Sequence, residues 1–142
     1  IKGVSLINAT DATNLLLEVS TDGGSTWVTA GGSYSWSYVF TGATGPGRVN
    51  STSDTALHLA NANANTTGGN VSFSLDVVNP LGGSVYPHFQ YDVTQKNSGD
   101  SQLYRYAGTG QPLAATAVNA LRFLFSSGNI TSGAIRCYGL EK

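Results

Sequence analysis

Val71-Ser72-Phe73-Ser74-Leu75-Asp76-Val77 alternates apolar and polar residues without a break. Successive side chains of a strand leave opposite faces, so this period of two predicts a half-buried β-strand with Val71, Phe73, Leu75 and Val77 toward a core. The same period recurs on either side. Leu15, Leu17 and Val19 share one face of Leu15–Ser20, with Leu16 and Glu18 opposite. Tyr34-Ser35-Trp36-Ser37-Tyr38-Val39-Phe40 sets four aromatic rings against two serines and a valine. Val85, Phe89, Tyr91 and Val93 fall in phase with Pro87, which suggests an edge strand or a bulge. Leu103–Ala107 reads as a short strand, Val118–Phe125 as one with Leu121, Phe123 and Phe125 on one face, and Ala134–Leu140 as the closing strand with Ile135 and Cys137 inside.

The punctuation between these runs agrees. Thr21-Asp22-Gly23-Gly24-Ser25 reads as a hairpin turn, because Asp-Gly and Gly-Gly tolerate the positive φ of tight turns. Asn79–Gly83 and Ser126–Asn129 read as further turns. The stretch from Gly42 to Gly69 resists the pattern. Thr55–Ala60 within it reads either as a strand or as one helical turn, and Asn61–Thr67 as an exposed low-complexity loop. Short strands and glycine-rich turns predict an all-β fold, an antiparallel β-sandwich or jelly roll, formed by residues 1–142 as a single domain.

Composition narrows the function. Ser, Thr, Asn and Gly supply 60 of the 142 residues, and charged residues only 11%, against about 25% in ordinary domains. Helical bundles are disfavoured by such residues. The formal net charge of -1 argues against electrostatic capture of nucleic acid or an anionic membrane. No apolar run approaches the roughly 18 residues of a spanning helix, so membrane insertion is not expected. The single cysteine, Cys137, excludes an intrachain disulfide and reads as a buried, inert thiol. Methionine is absent, including from position 1, so Ile1 is read as the start of an excised or processed piece.

Candidates for catalysis are sparse. The chain carries no H-E-x-x-H, P-loop or G-x-S-x-G sequence. The eight acids (Asp11, Glu18, Asp22, Asp54, Asp76, Asp92, Asp100, Glu141) are scattered, whereas a glycosidase needs two that converge. The histidines His58 and His88 and the lone cysteine have no metal-ligand spacing, so no cofactor or metal is expected. Asp22 beside two glycines suits a turn cap better than a calcium ligand. His88 falls on the polar face of its strand, where it is read as a partly exposed surface residue, with ligand binding as the alternative. Five N-x-S/T triplets, starting at Asn8, Asn50, Asn65, Asn70 and Asn129, are read as composition. Aromatics point elsewhere. Trp27, Tyr34, Trp36, Tyr104 and Tyr106 are the candidate ligand-binding residues, because sugar rings stack their C–H faces on aromatics while neighbouring hydroxyls and amides bind sugar hydroxyls. The competing reading is that an alternating aromatic face simply fills the core.

Residues 117–140, with Arg122-Phe123-Leu124-Phe125-Ser126-Ser127-Gly128-Asn129-Ile130 followed by Ser132-Gly133 and Arg136-Cys137-Tyr138-Gly139, closely resemble the C-terminal signature of a family of tailed-bacteriophage virion proteins. Leu17–Trp27 resembles that family's "LRLSTDGGSTF/W" segment, and Phe73–Pro80 its strand ending in Asn-Pro. Cys137 stands where a leucine is common. The matches follow the family's order across nearly the whole chain, apart from Gly42–Gly69.

The resemblance implies a jelly-roll-like domain of a tail fibre or tailspike, the C-terminal part of a longer virion protein, displayed on the particle and often trimeric. Family members usually carry further strand sequence before the segment that begins here at Ile1, so the first strands are expected to be missing or supplied by a partner. The expected role is non-enzymatic: host recognition through a cell-surface glycan, on the loops between residues 42 and 70 or around 96–112. The alternatives are a structural virion domain (head decoration, tail or fibre trimerisation) that buries apolar surface against copies of itself or other virion proteins, and a glycan depolymerase.

Overall fold

The computed structural model describes residues 1–43 and 45–139. They form ten strands: β1 (Lys2–Asn8), β2 (Thr13–Ser20), β3 (Tyr34–Gly42), β4 (Gly45–Asp54), β5 (Leu57–Asn63), β6 (Val71–Val78), β7 (His88–Lys96), β8 (Leu103–Pro112), β9 (Ala120–Phe125) and β10 (Ile130–Arg136). All pair antiparallel, in a seven-stranded sheet ordered β10-β1-β6-β7-β8-β3-β4 and a three-stranded sheet ordered β5-β2-β9. The fold is an all-β sandwich. Its strands divide seven and three, so the sandwich is shown and a jelly-roll connectivity is not.

The alternating runs supply the core. From the large sheet come Tyr34, Trp36, Tyr38, Phe73, Leu75, Phe89, Tyr91, Val93, Tyr104 and Tyr106; from the small one Leu15, Leu17, Val19, Leu57, Leu59 and Phe125. Each fully buried Leu or Phe contributes about 1.5–3 kcal/mol over its exposed state. Several rings lie across a glycine in the next strand: Phe73 over Gly3, Phe40 over Gly47 and Tyr91 over Gly108, where an added Cβ would fall within 2.2–2.5 Å of the ring. These glycines are seats for aromatic side chains inside strands, not punctuation.

Several sequence expectations are corrected. Residues 42–69 are not one long polar loop, since they hold all of β4 and all of β5, which begins at Leu57 as a strand. Asn61–Thr67 is not wholly exposed either. Asn63 and Ala64 are buried, and the Asn63 amide donates to the Thr13 carbonyl at 2.6 Å. The polar side chains there satisfy backbone that the irregular β2–β5 register leaves unpaired. Thr21–Ser25 is no hairpin. It leads from β2 toward β3, which lie in different sheets. Pro87 marks neither edge nor bulge, because β7 starts one residue later and lies between β6 and β8, while Val85 is exposed ahead of the strand. The last strand ends at Arg136, and Leu140, its expected end, lies outside the described residues, as does Glu141. Cys137 is exposed, not buried, because the strand has ended and the small sheet does not reach over it.

Candidate functional site

The five aromatic candidates part company in the structure. Tyr34, Trp36, Tyr104 and Tyr106 are all buried, and their polar tips are tied down. The Tyr34 hydroxyl donates to the Val28 carbonyl (2.8 Å) and accepts from the Val19 amide (2.9 Å). Burial above all, with the nearby Glu18 charge, pushes its pKa up to about 12 against the lowering effect of the Val19 amide. Trp36 donates to Asp54 Oδ2 (3.0 Å) and stacks on His58 at 4.7 Å. Tyr104 donates to Asp100 Oδ2 (2.9 Å). Tyr106 donates across the sandwich to the Asn61 carbonyl (3.0 Å) and receives the Gln95 amide (3.1 Å). In this structure these four are core side chains, and Tyr34, Trp36 and Tyr106 tie the large sheet to the small one. No spacing in the sequence separates them from binding aromatics, since both uses alternate with polar residues, here Ser35 or Arg105.

Trp27 alone is half-exposed. It sits on the outer side of the small sheet beside Gly24 and Ala120, with the Arg122 guanidinium 4.7 Å from its ring centroid. Arg122 is in turn held by Glu18 on the adjacent strand, through Nε at 3.0 Å and through Nη2. Glu18, expected on an open outer face, is buried under this pair. Asp22 is spent on its own turn: Thr26 donates its hydroxyl (2.6 Å) and amide (2.9 Å), and Ser20 its hydroxyl (2.7 Å). Those bonds, the Thr26 pair first, hold the Asp22 carboxyl at about 2. Among the described residues no group of three or more His, Cys, Asp or Glu is placed to hold a metal ion.

Two other surfaces stand out. The first is the outer face of the large sheet, where the polar half of each alternating strand collects. The register places Asp76, Gln90, Thr109, Ser37 and Asn50 in one row across β6, β7, β8, β3 and β4. The next row reads Ser74, Asp92, Ala107, Val39 and Arg48. At about 4.8 Å per strand such a row spans ~19 Å. Two open depressions lie along it, of about 590 and 440 Å³, with Ser37 and Thr109 in the walls of both. The small outward side chain of Ala107 lowers the floor of the first. Residues 45–54 and 103–112, near the segments expected to carry a binding patch as loops, contribute to this face as strands.

The second surface is an apolar groove of about 1280 Å³ along the open side of the sandwich. Phe73, Gly3 and Ile135 form one inner-facing row across β6, β1 and β10. Phe123 of β9 stacks on Phe73 at 4.9 Å, but among the described residues no strand covers Ile135, which is 41% exposed. Of that row only Ile135 lines the groove, with Phe123, Leu75, Val77, Val118, Leu121 and Tyr138 among its other walls. The strands flanking it, β9 and β10, are each the last of their sheet. The alternation in β10 does place Ile135 inward; what periodicity cannot tell is whether a second layer lies above.

Comparison of the chain with known protein families, with curated proteins and with solved structures finds no match.

Proposed function

We propose that this domain is a non-enzymatic recognition module of a phage tail fibre or tailspike that binds a host surface glycan on the outer face of its seven-stranded sheet. The observation that carries this is the row Asp76–Gln90–Thr109–Ser37–Asn50, hydrogen-bonding side chains one strand apart over a shallow, continuous trough. Sugar hydroxyls need many paired donors and acceptors at low charge, and hydroxyl, amide and carboxylate groups on a rigid sheet supply them with little ordering cost. An open trough suits one stretch of a polysaccharide rather than a small molecule enclosed on all sides. The sequence resemblance to virion proteins supplies the biological setting, and display in several copies would multiply a weak single-site affinity.

The test is adsorption competition. Fluorescent domain is expected to label host cells and to block phage adsorption, and the exposed-face variants Gln90→Ala and Asn50→Ala to label poorly while keeping the wild-type circular dichroism spectrum. A well-folded domain that labels no host cell removes this reading.

The apolar groove favours a second reading, a structural domain that associates through its open side with another copy of itself. One free edge from each sheet flanks an uncovered inner face, so a neighbour offering the same features can continue both layers. Sedimentation decides it. Self-association that is lost in Ile135→Arg, yet kept in Val4→Lys on the opposite face of the same strand pair, supports this reading. A wild-type monomer at 100 µM protein rejects it. The two readings use surfaces that meet at Asp76 and Gln90, which line both the first depression and the groove.

A further inference from the structure

The outer face of the large sheet is divided by charge. The depression toward β6 and β7 holds Asp76 and Asp92, and the guanidinium of Arg105 is already committed to Asp92 through Nε (2.8 Å) and Nη2. The depression toward β3 and β4 is lined by Arg48 and His88 with Ser35, Asn50, Thr52 and Gln111, and by no carboxylate. Arg48 is exposed and has no carboxylate within 4 Å among the described residues, unlike Arg105 and Arg122. An unpaired guanidinium beside hydroxyls and amides is a receiver for a planar or tetrahedral anion, because its fork donates two parallel N–H bonds. Resting on the glycan-binding reading above, we propose that the ligand is an acidic glycan whose anionic residue sits at Arg48.

The rest of the trough sets the remaining chemistry. Ser37 and Thr109 line both depressions, so a single extended oligosaccharide can cross from one to the other. At the far end Asp76 would repel a second anion, so the residue bound there is uncharged. The pattern selected is a charged sugar next to a neutral one. A uniform polyanion is disfavoured. A uronate carboxylate and a sugar phosphate both satisfy the Arg48 fork.

The test is binding of the complete chain to an array of neutral, uronate- or sialate-bearing and phosphorylated oligosaccharides, followed by calorimetry on the members that bind. Bound members are expected to be acidic, and whether they carry carboxylate or phosphate identifies the anion. Arg48→Gln is expected to weaken them by at least about tenfold, as loss of a charge-assisted pair does. Arg48 is exposed, and a matching thermal melt verifies the fold. Binding of neutral members alone, or acidic binding unmoved by Arg48→Gln, overturns this inference and leaves the glycan reading standing. No binding to any member, by a folded domain, overturns both.

Discussion

The two long sides of the sandwich are built from the same alternating strands, yet one is sealed and the other open. On the β5 side, tyrosines from the large sheet reach across to β5 backbone. Tyr91 donates to the His58 carbonyl at 2.8 Å, and Tyr106 together with Gln95 donates to the Asn61 carbonyl. The bulged register of β5 leaves those carbonyls free to accept. On the β9 side the layers touch through Phe123 on Phe73, and beyond them, among the described residues, Ile135 of β10 is left 41% exposed on the inward row. A period of two tells which way a side chain points. Burial also requires a facing layer, and the count of strands in that layer is a property of topology.

The largest expected effect lies on the sealed side. Leu57, fully buried on β5, faces a neighbour that cannot collapse easily, since its Cδ2 lies over Gly110. Leu57→Ala should cost about 2–5 kcal/mol in urea unfolding, the range for removing a buried leucine and leaving a cavity. A cost below ~1 kcal/mol would show that this side yields, and the contrast between the two sides would fail.

That contrast also explains what could be read from the sequence. The strands around Val71–Val77, Leu15–Ser20 and Tyr34–Phe40 were legible because one face of each meets the core and the other meets solvent. β4 was not, because Gly45-Pro46-Gly47-Arg48 looks like loop sequence, and only pairing with β3 makes it a strand whose Gly47 seats Phe40. β5 was half legible: Leu57-His58-Leu59 alternates, and then a bulge and the buried Asn63 break the period. Of the candidate site residues, Trp27 was placed at a surface by sequence reasoning that could not foresee Arg122 over its ring. The trough was overlooked because its members, Ser37, Gln90 and Thr109, are unremarkable singly and meet only through register.

A smaller effect is expected from one hydroxyl. Tyr91→Phe keeps the ring over Gly108 and removes only the donor to the His58 carbonyl. The loss should be about 1–2 kcal/mol, the cost of a hydrogen bond whose buried partner goes unpaired. Measured next to Leu57→Ala, it sharpens how much of the seal is hydrogen bonding and how much is packing. An unchanged unfolding midpoint would mean that the tyrosine tips are incidental to closure.

His58 makes the sealed side sensitive to mild acid. Burial against Trp36 lowers its pKa below the ordinary 6.5, an effect that Asp54, 3.7 Å away, partly offsets. Because the folded value is the lower one, the neutral imidazole is favoured by folding. Its contribution is therefore complete above pH 6.5 and lost as the pH falls below that value toward the folded pKa. Unfolding free energies from pH 7.5 to 5 should fall more steeply for the wild type than for His58→Gln. The difference in slope should be small but of this sign, since Asp54 opposes the shift. Identical slopes would remove His58 from the account.

The smallest effect belongs to the open side. Ile135 faces inward yet stays 41% exposed, so Ile135→Ala in a dilute domain removes a side chain that folding takes only partly out of water. The cost should stay below about 0.5 kcal/mol, as for an ordinary surface position. At high concentration the outcome separates two situations that a single measurement would merge. If copies associate through the groove, folded-state stability rises with protein concentration by mass action, and Ile135→Ala erases that rise while leaving the dilute value alone. If the dilute domain already loses a kilocalorie or more, Ile135 is covered within its own fold, and the open side is narrower than the strand order implies.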